Sequence, residues 1–296
     1  MYVVIGASGF LGAYVIRQIL EKTEEDVLAV THQVWEPNIS DPRLHWTSCD
    51  IADPVAVETL NREFLARQSY NKIIFLAAYH HPDRVEQNPK LAWDINVTAL
   101  SRFLNTAERV TRFCYPSTDS VYGESRDGYR FRESDPLRPV NRYGKQKAVA
   151  EMLVTSYGYH VVRFPFLIGP SLTPHKQHFY DTIVQTISSG KTFDMFADSY
   201  RSSLDFQTAA SLLIQLMELS AEAVPPIVNL CGDEALSKYD VGLMIAEQIG
   251  VPKERILPIS IHADEGIFDA KRASSTLMDN SLLKRTLHLD RVQINL

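Results

Sequence analysis

Tyr143 and Lys147 stand four residues apart in "PVNRYGKQKAVAEMLV", a spacing that puts both on one face of a helix. A phenol with a pKa of about 10 is a poor acid–base group at neutrality, and a neighbouring ammonium favours the phenolate and lowers that value. Such a tyrosine can pass a proton to or from a substrate oxygen. Taken alone, the two residues read as a surface pair on an amphipathic helix. A second group, in "FCYPSTDSVYGE" (113–124), ends an apolar run in Ser117-Thr118-Asp119-Ser120. These side chains suit a plain turn, because each bonds its own backbone, and they equally suit one wall of an active site.

The N-terminus lends weight to the second reading. "VVIGASGFLGAYVIRQIL" places Gly6, Gly9 and Gly12 between a strand and a helix. A backbone that turns sharply against a pyrophosphate tolerates no Cβ at Gly6 and Gly9, and Gly12 lets the helix sit close on the strand. The spacing is G-x-x-G-x-x-G, and the alternative is a tight strand-to-helix turn with no ligand. A dinucleotide site that selects NAD carries a carboxylate at the end of the second strand. There the chain reads Val30-Thr31-His32-Gln33, while Glu24, Glu25 and Asp26 fall at the strand's other end. NADP(H) is therefore favoured over NAD(H), with His32 as a contact to the 2′-phosphate. Asp50, in "SCDIAD", can bond the adenine amino group or serve equally as a turn or helix cap.

The elements that position these residues alternate. Strands are expected at 2–7, 26–32, 43–50, 72–78, 111–118 and 160–166, and helices at 10–22, 53–69, about 89–109 and about 141–157. This predicts an α/β fold, a doubly wound parallel sheet with helices on both faces. Beyond residue 167 the pattern loosens into a loop (169–178), a helix stopped by Gly190, a strand at 201–207, a helix at 208–219, a strand at 225–232 and a helix at 237–250. The expected division is a dinucleotide-binding domain over 1–166 and a smaller C-terminal substrate lobe over 167–296, with about 201–232 packing back on the first.

Composition narrows the function classes. The 296 residues are 45% hydrophobic and 22% charged with a net charge of −6, which invites neither nucleic acid nor an anionic membrane. No apolar run reaches the roughly 18 residues of a span, and no basic segment precedes "YVVIGASG", so neither a membrane anchor nor a signal peptide is expected. Cys49, Cys114 and Cys231 are odd in number and lie in or beside apolar runs, which predicts buried thiols in a reducing compartment, by default the cytoplasm. His80, His81, His175 and His178 lack the spacing of metal ligands, and no metal is expected.

Together the glycine loop, "STDSVYG" and Tyr143–Lys147 resemble the extended branch of the short-chain dehydrogenase/reductase superfamily (the NAD-dependent epimerase/dehydratase type), over nearly the whole chain. "FLAA" (75–78), "NVTAL" (96–100) and "RFPFLIGP" (163–170) follow in the family's order. The resemblance implies a Rossmann-type domain, with Tyr143 as proton donor, Lys147 as its tuner and ribose ligand, and Thr118 as the catalytic hydroxyl. It also puts Gly6, Ser8, Gly9, Phe10 and Leu11 on the pyrophosphate, Asp50 and Ile51 on the adenine, and Ala77 and Ala78 beside the cofactor. Within that branch, 4,6-dehydratases carry a glutamate where Ser120 stands, and a hydroxyl cannot replace a carboxylate base. The 4-epimerases carry an asparagine where this chain has Phe166. Ser117-Thr118-Asp119 and Phe166 are similar to the dTDP-4-dehydrorhamnose reductase-like group, as are Asp83 and Glu86 of "YHHPDRVEQNP". Ser120 and "VYG" depart from that group's aromatic and "VF". The implied function is NAD(P)H-dependent reduction of a nucleotide-linked 4-keto sugar, with Asp119, His80, Phe166 and Arg201 on the substrate and a homodimer by analogy. The alternatives are an epimerase and a non-catalytic NADP-binding regulatory subunit.

Overall fold

The computed structural model describes residues 1–33, 39–173, 176–263 and 268–296, so the expectation at His175 lies outside the described residues. The chain runs β1 (Tyr2–Ile5), α1 (Phe10–Lys22), β2 (Val27–Thr31), β3 (Leu44–Ser48), α2 (Pro54–Glu63), β4 (Asn71–Phe75), α3 (Pro82–Gln87), α4 (Pro89–Trp93), α5 (Leu100–Thr106), β5 (Val110–Thr118) and α6 (Arg142–Ser156). It continues through β6 (His160–Phe164), β7 (Leu167–Ile168), α7 (Phe179–Ser188), β8 (Phe193–Phe196), β9 (Tyr200–Arg201), β10 (Leu204–Asp205) and α8 (Phe206–Glu218). β11 (Ile227–Asn229), β12 (Leu236–Ser237), α9 (Lys238–Gln248), β13 (Ile256–Ile259) and α10 (Ser281–Leu287) complete it.

Seven strands form one sheet in the order β11-β6-β5-β4-β1-β2-β3, and every pairing is parallel. Side chains alternate along each strand and so feed two cores. Tyr2, Val4, Val27, Ala29, Ile74 and Val162 face α1 and α8, whereas Val3, Ile5, Leu28, Val30, Ile73 and Phe113 face α2, α5 and α6. The strand order reverses between β1 and β4, which opens a crevice at the carboxyl ends of those two strands. This is the expected Rossmann-type sheet. A third core, with Ile168, Ile183, Met195, Val241, Ile245 and Ile256, binds α7, α9 and the paired β8 and β13 into a lobe above the crevice.

Three expectations shift. The helix over 89–109 is interrupted by a π-helical turn at Asp94–Ala99, which turns Asn96 inward. The strand over 201–207 is two short pieces, because Asp205 accepts the Thr208 amide at 2.7 Å and starts α8 at Phe206. The strands β7, β8, β12 and β13 were hidden by their brevity. Residues 206–229 return to the sheet, with α8 beside α1 and β11 on its edge. The three cysteines are buried free thiols, and burial lifts the Cys49 thiol to about 11. Among the described residues no helix is long and apolar enough to cross a membrane.

Candidate active site

Two adjoining cavities, of about 560 and 580 Å³, form one cleft along the crevice. Gly6, Gly9, Ala78 and His80 line both. The inner cavity brings Phe10, Leu11, Gly12, Thr118, Tyr143 and Lys147 together; the outer one gathers Ser8, His32, Asp50, Ile51 and Ala77. The glycine loop is shaped for backbone approach. Gly6 has φ +89°, and a Cβ there would lie 2.8 Å from the Ala77 nitrogen. A Cβ on Gly12 would lie 2.7 Å from the Ala7 carbonyl oxygen. Gly9 is the N-cap of α1 and places no side chain over the helix's first N–H groups. A cradle with an uncapped helix end and no first-turn carboxylate fits an anionic pyrophosphate.

The Tyr143–Lys147 face is set by two local contacts. Asn141 caps α6 by accepting the Gly144 amide at 2.9 Å. Gly144 lets the helix close on the 119–121 turn, where a Cβ would collide with the Ser120 carbonyl. One turn deeper, the Lys147 ammonium donates to the Pro116 carbonyl at 2.6 Å and lies 3.9 Å from the centre of the Tyr115 ring. Burial pulls Lys147 down to about 7, against the upward pull of Glu151. Glu151 is itself held in a buried pair with Arg163 at 2.6 Å and also accepts from Ser117.

The expected lowering of the Tyr143 phenol does not appear. Burial, and then the carboxylate of Asp119, push its pKa up, because the Lys147 ammonium is turned to Pro116 and Tyr115. Tyr143 is accordingly a neutral phenol, with a proton available to donate. Thr118 sits at the end of β5, with its hydroxyl 3.0 Å from Asp119 Oδ1 and 3.3 Å from Ser120 Oγ.

Three proposed substrate residues do not line the cleft. Asp119 is buried behind Thr118, where it accepts from Thr276 and pairs with Arg201 Nε at 3.3 Å. Arg201 also donates three of its five N–H groups to the carbonyls of Tyr200, Ser274 and Ala273. Its fork is a strut between β9 and the 273–276 segment, not a free anion site. Phe166 lies beyond Pro165, edge-to-face with Phe179. At the outer end, Asp50 takes the turn alternative, with Oδ1 accepting the Ala52 amide at 2.9 Å, and its Oδ2 stands 3.5 Å from His32 Nε2. A carboxylate therefore does stand near the end of β2, brought there by β3.

The sequence reading missed Lys176, His178 and Asn96. Lys176 lines both cavities and donates to the Ser8 carbonyl at 2.9 Å. His178 lies edge-to-face against Phe10 and Phe206, and burial drops its pKa to about 4, so it is neutral. Asn96 clamps Tyr79 and Gln146, joining the loop after β4 to α6. The first two come from an irregular loop with no periodicity to read.

The family model described as RmlD substrate binding domain matches residues 1–294. The chain belongs to that family. It is 26% identical over 287 residues to methionine adenosyltransferase 2 subunit beta of Xenopus laevis, covering 95% of this chain and 81% of that one. It is 30% identical over 211 residues to the low-salt glycan biosynthesis protein Agl12 of Haloferax volcanii, covering 66% and 65%. Among solved structures, a hypothetical dTDP-4-dehydrorhamnose reductase from Sulfolobus tokodaii superposes with TM-score 0.78 at 23% identity, over 99% of this chain and 97% of that one. The dTDP-4-dehydrorhamnose reductase of Bacillus anthracis in complex with NADP superposes with TM-score 0.76 at 20% identity, over 99% and 94%. At such identities the structures establish the shared RmlD-type fold alone.

Proposed function

We propose that this RmlD-family protein is an NAD(P)H-dependent reductase of a nucleotide-linked 4-keto sugar. The observation that carries the reading is the meeting of Thr118, Tyr143 and Lys147 with the glycine loop in one cleft. A nicotinamide dinucleotide bound along the cleft supplies the hydride. Tyr143 donates its phenolic proton to the carbonyl oxygen, and Thr118 orients that oxygen with its hydroxyl. Lys147, whose ammonium is turned to Pro116 and Tyr115 at the floor of the cleft, would hold the ribose hydroxyls. Ser120 offers no carboxylate for elimination, and its hydroxyl is engaged by Asp119 and Thr118. The preference for NADP(H) over NAD(H) rests on His32, which lines the outer cavity; the Asp50 carboxylate, 3.5 Å from its imidazole, counts against it, because a carboxylate at this place favours a free 2′-hydroxyl. The division near residue 166 into a dinucleotide half and a substrate lobe belongs to the same proposal.

The test is loss of NADPH absorbance with a panel of nucleotide-linked 4-keto sugars, using the wild type and Tyr143→Phe. Turnover that survives the substitution undiminished rejects the assignment, and interconversion of sugars without net NADPH loss favours an epimerase. The similarity to a protein named as a methionine adenosyltransferase subunit, over 95% of this chain, favours a second reading as a cofactor-binding regulatory subunit. NADPH binding without turnover of any sugar, together with capture of a partner enzyme, is the outcome that selects it.

A further inference from the structure

The lobe above the cleft holds a cation that lacks a counter-ion. Lys238 is the first residue of α9, beside the positive end of that helix, where a lysine is electrostatically misplaced. Its ammonium lies 5.4, 5.9 and 5.6 Å from the ring centres of Phe166, Phe179 and Phe196. Arg201 and Arg272 stand close enough to repel it, and each already has a carboxylate. Arg201 is paired with Asp119 at 3.3 Å and Arg272 with Asp83 at 2.7 Å. Among the described residues no ion pair or hydrogen bond joins the Lys238 ammonium to a protein atom. Three cations thus share two carboxylates in a half-buried place. Burial and the two guanidiniums pull Lys238 down to about 8, with Asp119 opposing.

An unpaired ammonium held out of water is a standing cost to the fold. A bound anion removes that cost. The surroundings narrow the anion's chemistry, because the cations are set among half-exposed rings: Phe193 against Phe179, and Phe268 against Phe196 with Arg272 over its face. Such a place suits a ligand that joins negative charge to a flat ring. It adjoins the reacting end of the cleft, since Asp119 bonds Thr118 and pairs with Arg201 in the same cluster. We propose that Lys238, and not Arg201, holds the diphosphate of the nucleotide-linked substrate, within the collar of Phe166, Phe179 and Phe196. This rests on the reading of the substrate as nucleotide-linked, and it names the residue that recognises the nucleotide.

The test is calorimetric titration of the full chain with dTDP, UDP, inorganic pyrophosphate and, separately, NADPH. Lys238→Met keeps the length of the side chain and removes its charge. It is expected to weaken nucleoside diphosphate binding by about 10–100-fold, the worth of a charged hydrogen bond, with NADPH affinity unchanged. Lys238→Arg retains most of the binding, and Lys238→Met melts no lower than the wild type. Equal binding by Lys238→Met and wild type overturns the inference and leaves the nucleotide-linked reading standing. A wild type that binds NADPH but none of the three diphosphates overturns both. A lower melting temperature in Lys238→Met with loss of both ligand types marks Lys238 as a structural strut, and overturns the inference as well.

Discussion

The glycine loop and the region behind Thr118 are built by different means. At the dinucleotide end the work falls to backbone: Gly6 at positive φ, the uncapped start of α1, and a loop pressed against Ala77. Behind Thr118 it falls to side chains paired across great sequence distance. Asp83 grips Arg272 and the Ala270 amide, Glu124 takes the amides of Ser274 and Ser275, and Asp119 grips Arg201 and Thr276. The contrast teaches where each end is vulnerable. A backbone cradle fails when a Cβ is added, and a network of carboxylate tethers fails when one charge is removed.

The heaviest blow falls on the group between the two ends. Tyr143→Phe is expected to lower turnover by about 10²–10⁴-fold while dinucleotide affinity holds, as read by steady-state kinetics and fluorescence titration. Next comes the buried pair beneath the site. Glu151→Gln leaves the Arg163 guanidinium buried without its counter-ion, and chemical denaturation should show a loss of about 3–5 kcal/mol. At the backbone end, Gly6→Ala forces a Cβ against Ala77 at positive φ. Its expected cost is about 1–3 kcal/mol of stability, with weakened NADPH binding and little direct effect on a nucleoside diphosphate.

At the side-chain end, pH discriminates. The Lys238 charge is present below about 8 and is lost above it. The charged groups that face it are Arg201, Arg272 and Asp119. Nucleoside diphosphate binding should therefore decline as pH rises through 8 to 9, and the decline should vanish in Lys238→Arg. The smallest effect belongs to an exposed contact. His32→Ala should reduce the preference for NADPH over NADH by about 2–5-fold, in keeping with the modest worth of exposed charge pairs. A ratio that does not move removes His32 from cofactor choice.

The same contrast sets what could be read from the chain. The glycine loop, the alternation of strands and helices, and the Tyr143–Lys147 spacing are local. Each of their elements is written in a window of fewer than about thirty residues, and the structure reproduces the strand–helix alternation and the glycine turn. The roles of Arg201 and Asp50 were not local. Whether a guanidinium is a free fork or a spent strut depends on the carbonyls of Ala273 and Ser274, which a β9-centred reading does not contain. Whether a carboxylate stands near the end of β2 depends on β3 pairing beside it in parallel register.

Hydrophobic periodicity, turn chemistry and helix spacing therefore determined the alternation of strands and helices, a parallel sheet covered on two faces, and the glycine turn between β1 and α1. These follow from interactions between near neighbours in the chain. Tertiary structure alone decided the rest. It raised the Tyr143 phenol through burial beside Asp119, lowered Lys147 through desolvation, and spent the charge of Arg201 on a distant segment. It also left Lys238 without a carboxylate. Charge balance is a sum over everything that packs around a group, and no stretch of sequence carries that sum.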